Sequence, residues 1–231
     1  MPKKARPVAT VNVKGNGGIA LPPFPPLSPK KSLNCRNLLV DQIMIINNFF
    51  TPAECKLFVQ FIDELPLELT PPKKRGEADR VSYRISVSST TFAGDLFRVL
   101  QPHLPDFPYP ASKARPGTSA RPAHSLNSNI RMYKYTPSQH FGQHYDDAVK
   151  DTQAGTWSEW TLLIYLTGAE DGIVGGETVF YMNDKKTAVS APLTRGTALL
   201  HRHGHECLLH EGSPVAKGTK YVLRSDVMFM D

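Results

Sequence analysis

Two residues in the second half of the chain, His144 and Asp146, are spaced as metal ligands often are. If a β-strand ends here, positions i and i+2 point to the same side, and Tyr145 between them points away. One imidazole and one carboxylate, completed by a second imidazole, form the 2-His-1-carboxylate set, which leaves three coordination positions free for non-haem Fe(II) oxygenase chemistry. The pattern therefore predicts an iron site that needs one more histidine from elsewhere in the chain.

We predict that this second histidine is His210, because of the segment that follows it. Residues 211–219 have the length of a hairpin that would return the chain beside the metal site and bring Lys220 close to it. A lysine there can pair with the far carboxylate of a keto acid bound to the metal. Arg224 shares a strand face with Lys220 and is the second candidate for this role.

Three other histidines, His201, His203 and His205, also occur in the C-terminal third and would share one face of a strand. We expect them at a solvent-facing hairpin tip. A separate zinc or copper site formed by them is the less favoured alternative, because only Cys207 could complete its ligands.

The elements that must position these residues begin with two strands and two helices. Apolar, β-branched runs predict strands over residues 38–46 and 80–87. The segment Thr51-Pro52-Ala53-Glu54 is typical of a capping box and predicts a helix that continues to residue 65, and a second helix is predicted over residues 92–100. The remaining stretches, residues 66–80 and 102–126, are predicted to be loops that serve either as insertions or as lids.

After residue 126 the predicted elements are short strands only. They cover residues 129–135, 160–166, 178–182, 198–200, 207–210 and 221–229. Short strands separated by glycine-rich turns, with no helix between them, indicate a sandwich or barrel. The predicted fold is therefore mainly β with flanking helices (α+β), with helical support in residues 33–125 and a β core in residues 126–231.

The composition of the chain narrows its class. Its 231 residues, 40% of them hydrophobic, fit one domain with a core of its own. No apolar run reaches the ~20 residues that span a bilayer, and the first residues lack the apolar stretch of a secretory signal. Three cysteines are too few for a disulfide framework. We expect an intracellular protein, cytoplasmic or nuclear, with no membrane association.

The formal net charge of +6 is concentrated at the N-terminal end. Seven of the 27 Lys and Arg residues precede Asp41 and no acidic residue does, so the rest of the chain holds 20 basic and 21 acidic residues. Residues 1–32 are also rich in proline and glycine, and we predict that they form a basic tail that is disordered or adopts polyproline II structure. Nucleic acid is expected to bind only weakly, through this tail.

Several segments of this sequence resemble one enzyme family. Residues 131–146 resemble the start of the catalytic domain in Fe(II)/2-oxoglutarate-dependent dioxygenases of the prolyl 4-hydroxylase-like branch. Residues 161–166, with Gly175-Gly176-Glu177-Thr178, look like the next two strands of that branch, and His210 with Lys220 ten residues later is similar to its closing signature. The resemblance covers about residues 126–229, and the order of the motifs makes it specific although each motif alone is modest.

The resemblance implies a double-stranded β-helix, which is a jelly-roll core of two antiparallel sheets. It also implies a set of site residues. These are the iron ligands His144, Asp146 and His210, and the 2-oxoglutarate contacts Lys220, Tyr135 and, as a looser match, Thr161, with Arg224 as the alternative anchor. One departure is Ser138, which stands where the family commonly has glycine.

The activity implied by the resemblance is hydroxylation of an aliphatic C–H group with Fe(II), 2-oxoglutarate and O2, releasing succinate and CO2, with ascorbate as reductant. The expected substrate is a peptide or protein, with a prolyl residue as one candidate. A small-molecule hydroxylase is the first alternative, and a closed pocket would favour it over an open groove. A nucleic-acid demethylase is a further alternative, but the near-neutral charge of the chain from residue 41 onward argues against it. The last alternative is a non-catalytic jelly-roll module that only binds a ligand, and such a module would not need the intact set of iron ligands.

Overall fold

The computed structural model describes residues 21–111, 113, 117, 120–182 and 186–230. It contains two α-helices, α1 (Pro52–Asp63) and α2 (Thr90–Leu100), among those residues. The strands there are β1 (Cys35–Leu39), β2 (Ile43–Ile46), β3 (Glu68–Leu69), β4 (Arg80–Val81), β5 (Tyr83–Ser88), β6 (Phe107–Pro108), β7 (Ala120–Arg121), β8 (Ser125–Leu126), β9 (Asn129–Tyr135), β10 (His140–His144), β11 (Lys150–Asp151), β12 (Thr156–Tyr165), β13 (Val174–Gly175), β14 (Thr178–Tyr181), β15 (Ala188–Ala191), β16 (Ala198–Arg202), β17 (Leu209–Gly212), β18 (Val215–Lys217) and β19 (Lys220–Met230). Neither helix is long and apolar enough to cross a membrane.

The strands form two main antiparallel sheets. The larger sheet has the order β1-β2-β16-β12-β19-β9-β5-β3, with β8 paired to β19 and β11 paired to β12. The smaller sheet has the order β15-β14-β17-β10-β4. Apart from hairpins such as β1–β2 and β14–β15, most neighbours in each sheet are distant in sequence, as the crossing connections of a jelly roll require. The mainly β fold with a double-stranded β-helix core, as predicted, is therefore confirmed.

Both faces of the larger sheet are covered. In β2, Ile43 and Ile45 belong to the apolar cluster between the two sheets, whereas Met44 and Ile46 belong to the cluster under the helices. All four side chains are buried because alternate residues of a strand point to opposite faces, and each face has a layer packed on it. The candidate site lies between the two sheets, with His144 and His210 on the smaller sheet and Tyr135, Thr161, Lys220 and Arg224 on the larger sheet.

Helix α1 begins as the sequence predicts. The hydroxyl of Thr51 accepts a hydrogen bond from the N–H of Glu54 at 3.2 Å, and the carboxylate of Glu54 accepts one from the N–H of Thr51 at 2.9 Å. Glu54 also forms a buried ion pair with Lys30 at 2.6 Å. This ion pair ties the chain ahead of β1 to the start of the helix.

The prediction of disorder in the tail is wrong for residues 21–32. Leu21 is buried, and the ring of Phe24 stacks on Phe92 of α2 with centroids 4.0 Å apart. These residues have no regular secondary structure, but two apolar side chains and the Lys30 ion pair fix them on the helical layer. Composition alone does not reveal this packing, because the partners of Lys30 and Phe24 lie 24 and 68 residues further along the chain. The rest of the predicted tail, residues 1–20, lies outside the described residues.

Two strand predictions need correction. The predicted strand over residues 38–46 is a hairpin of β1 and β2, because the chain turns at Asp41, whose φ is +56°. The strand predicted over residues 207–210 begins at Leu209, and a short 3-10 turn over Gly204–Glu206 precedes Cys207. Of the predicted loops, residues 66–80 contain β3 and the start of β4, and residues 102–126 contain β6, β7 and β8.

The turn between β9 and β10 contains the residue that departs from the family pattern. Ser138 adopts a φ of +72°, a conformation that costs an L-residue about 1–2 kcal/mol and glycine nothing. Because glycine also loses more entropy on folding, we expect Ser138→Gly to stabilise the protein by about 0.5–1 kcal/mol in urea denaturation. Ser128→Gly is the control: its φ is not positive, so this change should lower the free energy of unfolding. A destabilised Ser138→Gly variant would contradict the account of this turn.

Candidate active site

The first two predicted metal ligands lie at the end of β10. His144 is the last residue of that strand, and Asp146 follows in the connection to β11. The Nε2 atom of His144 lies 3.7 Å from the carboxylate of Asp146, while Tyr145 between them is 55% exposed. The i, i+2 spacing therefore brings the imidazole and the carboxylate together as predicted.

The third predicted ligand, His210, comes from the neighbouring strand β17. Its backbone pairs directly with His144 across the β10–β17 ladder, so the two imidazoles stand side by side with ring centroids 4.2 Å apart. The Nε2 atom of His210 lies 3.8 Å from Oδ2 of Asp146. One possible ligand atom from each of His144, Asp146 and His210 lies within 4.8 Å of the others. A single metal ion placed between these three atoms could bind all of them.

The backbone fixes which nitrogen of each imidazole is free. Nδ1 of His144 lies 2.9 Å from the carbonyl oxygen of Gly142, and Nδ1 of His210 lies 2.9 Å from that of Leu208. A carbonyl oxygen only accepts, so each Nδ1 must carry the proton and donate it. Each Nε2 therefore has a free lone pair directed toward Asp146, as a metal ligand needs.

The protonation states suit a divalent cation. Burial and then the neighbouring His210 lower the pKa of His144 to about 4, and burial lowers the pKa of His210. Burial alone would raise the pKa of Asp146, but the charge of Arg224 and the nearby histidines hold it well below its usual value. At neutral pH the site therefore presents two neutral imidazoles and one ionised carboxylate.

Lys220 lies on the other side of a narrow cavity from these residues. It is the first residue of β19 and is buried, with Nζ donating to the carbonyl oxygen of Gly176 at 2.6 Å. The rings of Tyr135 and Tyr165 lie 5.5 Å and 5.4 Å from Nζ. No carboxylate of the described residues pairs with it. A buried ammonium group without a counter-ion is costly, which makes this end of the cavity complementary to an anion.

The cavity has a volume of about 50 Å³ and joins the two groups of residues. Its walls include His144, Asp146 and His210 at one end and Tyr135 and Lys220 at the other. The left-handed Gly176 leaves room beside Lys220, since a Cβ there would lie 3.4 Å from the lysine Cδ and 3.0 Å from Val215. This arrangement fits a small dicarboxylate that chelates a metal at one end and meets an ammonium group at the other.

Comparison with known proteins agrees with this geometry. Residues 130–225 match the profile of the 2OG-Fe(II) oxygenase superfamily. This segment belongs to that superfamily. Its members use Fe(II), 2-oxoglutarate and O2, so the predicted enzyme class and these three predicted cofactors are confirmed. None of the curated protein sequences compared with the chain matches it.

Three solved structures show how far the likeness extends. The viral collagen prolyl hydroxylase of Paramecium bursaria Chlorella virus 1, in complex with 2-oxoglutarate, has 20% identity and a TM-score of 0.52, with 81% of this chain and 96% of that chain covered. A Pseudomonas putida prolyl-4-hydroxylase has 11% identity and a TM-score of 0.55, covering 83% and 95%. A Trichoplax adhaerens prolyl hydroxylase in complex with a hypoxia inducible factor peptide fragment has 15% identity and a TM-score of 0.54, covering 81% and 84%. At these identities the likeness establishes a shared fold.

Two residues predicted to contact 2-oxoglutarate, Thr161 and Arg224, contact Asp146 in this structure. Thr161 does not line the cavity at Lys220; its hydroxyl donates to Oδ2 of Asp146 at 2.9 Å. The guanidinium of Arg224 forms an ion pair with Asp146 at 3.0 Å and with Asp226 at 3.3 Å, so it is already neutralised. Both side chains hold the carboxylate of Asp146 in place. Of the two basic residues on this strand face, only Lys220 keeps a charge available for a ligand.

The prediction of a solvent-facing histidine cluster is wrong for two of its three members. His201 and His203 are only 2% and 5% exposed, and His205 alone is exposed. Nε2 of His201 lies 3.7 Å from Oδ2 of Asp146, and Nδ1 of His203 lies 2.9 Å from the Thr161 hydroxyl. The pairing of β16 with β12 sets His201 opposite Thr161, and this long-range register decides which way the histidines face.

Arg131, by contrast, has a buried acidic partner. It shares a face with Tyr133 and Tyr135 on β9, and its guanidinium lies 3.3 Å from the buried carboxylate of Asp226. An Arg inside a jelly roll needs such a partner.

A second, larger cavity of about 670 Å³, here called the outer groove, opens beside the candidate ligands His144 and Asp146. The two cavities share the walls Phe141, His144, Asp146 and Arg224. Charged residues dominate the rest of the outer groove. They are the basic Lys73, Lys74, Arg80, Arg84 and Arg131 and the acidic Glu77 and Asp147.

The charge on Lys220 predicts how 2-oxoglutarate binding depends on pH. Burial lowers the pKa of Lys220 to about 8 in the free protein, with a smaller opposing effect of Glu177. A bound carboxylate favours the charged form, so affinity should be constant below pH ~8 and fall roughly tenfold for each pH unit above it. The measurement is the dissociation constant of 2-oxoglutarate for the Mn(II) protein under argon, as a function of pH.

Lys220→Arg is the matched variant for this pH profile, because a guanidinium stays charged throughout the range. Its affinity, whatever its absolute value, should vary little from about pH 7 to 10. If wild type and Lys220→Arg show the same fall above pH 8, another group controls binding.

Proposed function

We propose that this chain hydroxylates an aliphatic C–H group of a peptidyl substrate, with a prolyl residue as the first candidate. In this proposal His144, Asp146 and His210 hold Fe(II), and Lys220 binds the C5 carboxylate of 2-oxoglutarate. The observation that carries it is the buried Lys220 ammonium, which has no carboxylate partner among the described residues and lines the same cavity as the two imidazoles and Asp146. A purely structural lysine would be paired.

Fe(II) held by His144, Asp146 and His210 would supply the oxidation, with 2-oxoglutarate and O2 consumed, one oxygen atom passing to succinate with loss of CO2 and the other to the substrate. The protein's own contribution is positioning. Thr161 and Arg224 orient the Asp146 carboxylate, and the ring of Phe141 stacks on His144 with centroids 3.5 Å apart. Lys220, held against the carbonyl of Gly176, fixes the far end of the keto acid. Burial of these groups keeps bulk water out of the contacts and so strengthens them.

The shape of the outer groove supports a peptide over a small metabolite. At about 670 Å³ it is far larger than the inner cavity and opens from the metal position, whereas a small-molecule hydroxylase would enclose its substrate. The related folds include prolyl hydroxylases, one of them in complex with a peptide fragment. This likeness adds support to the peptide proposal at the level of the fold.

The charge of the groove favours a substrate with acidic groups near the hydroxylated residue. The guanidinium of Arg80 lies 4.5 Å from the ring centroid of Phe141, which in turn stacks on His144. Arg80 and Arg84 have no carboxylate partner among the described residues. A carboxylate of the substrate would provide such a partner, and both the carboxylate and the guanidinium group would lose bound water when they pair.

The experiment is incubation of the purified chain with Fe(II), ascorbate and 2-oxoglutarate against three libraries: proline-containing peptides with acidic or basic flanks, small metabolites, and methylated oligonucleotides. The proposal predicts succinate formation coupled to a mass gain of about 16 Da on acid-flanked peptides. Arg80→Gln should raise the KM for such a peptide about tenfold, and the exposed Lys56 of α1 gives the control variant Lys56→Gln. Turnover of metabolites or oligonucleotides alone would overturn the peptide assignment.

A further inference from the structure

A second group of metal-binding side chains lies against the proposed iron site. His201 at the end of β16 and Cys207 after the 3-10 turn are both buried beside His210 of β17. One possible ligand atom from each of these three residues lies within 4.8 Å of the others. The proposed iron site uses only His210 of this group, so the burial of His201 and Cys207 at this point needs another explanation.

The orientation of His201 is that of a ligand. Its Nδ1 lies 3.1 Å from the carbonyl oxygen of Arg202 and so carries the proton, which leaves Nε2 with a free lone pair. That atom faces Oδ2 of Asp146 at 3.7 Å. His201 therefore repeats the arrangement of His144 and His210, with Nδ1 donating to the backbone and Nε2 directed at the same carboxylate.

Cys207 adds the donor that distinguishes this group from the iron set. Its sulfur accepts a hydrogen bond from the N–H of Asp146 at 3.3 Å, and its thiol donates to the carbonyl oxygen of Leu208 at 3.4 Å. A thiol is a weak hydrogen-bond donor, so little is lost if the sulfur gives up this proton and binds a metal instead. Thiolate with imidazole is a donor set that selects Zn²⁺ and similar cations over a hard, oxygen-seeking ion.

We propose that His201, Cys207 and His210 form a second metal site, for a thiophilic divalent cation such as Zn²⁺, that overlaps the iron site. Oδ2 of Asp146, 3.7 Å from His201 and 3.8 Å from His210, supplies the fourth ligand of a tetrahedral set. On binding, the Cys207 thiol releases its proton to solvent and its sulfur forms the bond to the metal.

Occupation of the two sites is mutually exclusive. Only Nε2 of His210 is free, because Nδ1 donates to Leu208, and one lone pair binds one metal. Zn²⁺ in the second site also takes Asp146 and leaves His144 as the sole unshared iron ligand. This consequence rests on the proposed function, whereas the existence of the thiolate site does not.

The test uses Co²⁺ as a spectroscopic substitute for Zn²⁺. Addition of one equivalent to the metal-free protein should produce the near-ultraviolet charge-transfer absorption of a thiolate bound to cobalt. Cys207→Ser should abolish this absorption, and His144→Ala should keep it. The double variant Cys35→Ser/Cys55→Ala, which retains Cys207 as the one thiol of the chain, should also keep it. Absence of the absorption in wild type or in this double variant would overturn the site.

Competition for zinc and iron completes the test. Chelator titration should show zinc affinity weakened more than about tenfold in both Cys207→Ser and His201→Gln. Zinc bound beforehand should block Fe(II) uptake in wild type far better than in Cys207→Ser, measured as iron per chain. Equal block in both would mean that zinc occupies only the iron ligands, and the proposal would fail. Iron retained by His144→Ala would contradict the proposed iron site instead, and the cobalt spectrum would still decide the second site.

Discussion

Replacing Asp146 by alanine is expected to reduce iron affinity roughly 100-fold or more and to abolish succinate formation. Asp146 is the one anionic member of the proposed ligand set, and every neighbouring group is directed at it: His144, His210, Thr161 and Arg224 all lie within 3.8 Å of its oxygens. Loss of groups that merely orient a ligand costs 10- to 100-fold in metal affinity, so loss of the ligand itself should cost at least as much. Iron per chain and succinate release measure the two effects.

Two matched variants separate ligation from folding in this experiment. Asp146→Asn keeps the size and the hydrogen bond from Thr161 but removes the charge, and it should lose iron as Asp146→Ala does. Asp147→Ala removes an exposed carboxylate of the outer groove one residue away, and it should bind iron normally. Iron-dependent succinate formation by Asp146→Ala would mean that the carboxylate ligand has been misassigned.

Replacing Lys220 by alanine should raise the KM for 2-oxoglutarate about 30- to 150-fold, with a much smaller effect on kcat at saturating 2-oxoglutarate. A buried, charge-assisted contact is worth about 2–3 kcal/mol, which corresponds to this range. The contact is made equally in the bound complex and during reaction, so binding should suffer more than turnover. Initial rates of succinate formation against 2-oxoglutarate concentration measure both constants.

The neighbouring basic residues provide the controls for Lys220. Lys217 lies three residues earlier in β18 and is exposed, so Lys217→Ala should leave the KM unchanged. Arg224→Gln should impair iron binding, because Arg224 pairs with Asp146, and should change the 2-oxoglutarate requirement less. If Arg224→Gln raises the KM for 2-oxoglutarate and Lys220→Ala does not, Arg224 is the anchor.

Local patterns in the sequence predict much of the site. The i, i+2 spacing of His144 and Asp146 requires only that a strand end there, and β10 does end at His144. The capping box at Thr51 likewise depends on four consecutive residues. The hairpin length between His210 and Lys220, together with the family resemblance, predicts that both residues belong to the site. In the structure both line the same cavity.

The parts that sequence reasoning missed depend on contacts between distant segments. Whether His201 faces solvent or Asp146 is decided by the register of β16 against β12, which sets it opposite Thr161. The ring of Phe24 packs on that of Phe92, which lies 68 residues later in the chain. The residues around Phe24 form no pattern that predicts this contact. The resemblance implies that Thr161 contacts 2-oxoglutarate, whereas in this structure its hydroxyl donates to Asp146, a residue 15 positions earlier in the chain.

The central claim is that three side chains bind one iron while Lys220 binds the keto acid. The most direct test is a crystal structure with Fe(II) and 2-oxoglutarate, grown without oxygen, in which anomalous scattering locates the metal. We predict one iron peak bonded to Nε2 of His144, Nε2 of His210 and an oxygen of Asp146, with the C5 carboxylate of 2-oxoglutarate on Nζ of Lys220. An iron peak bonded to any other set of side chains, or a keto acid whose C5 carboxylate is not on Lys220, would contradict it.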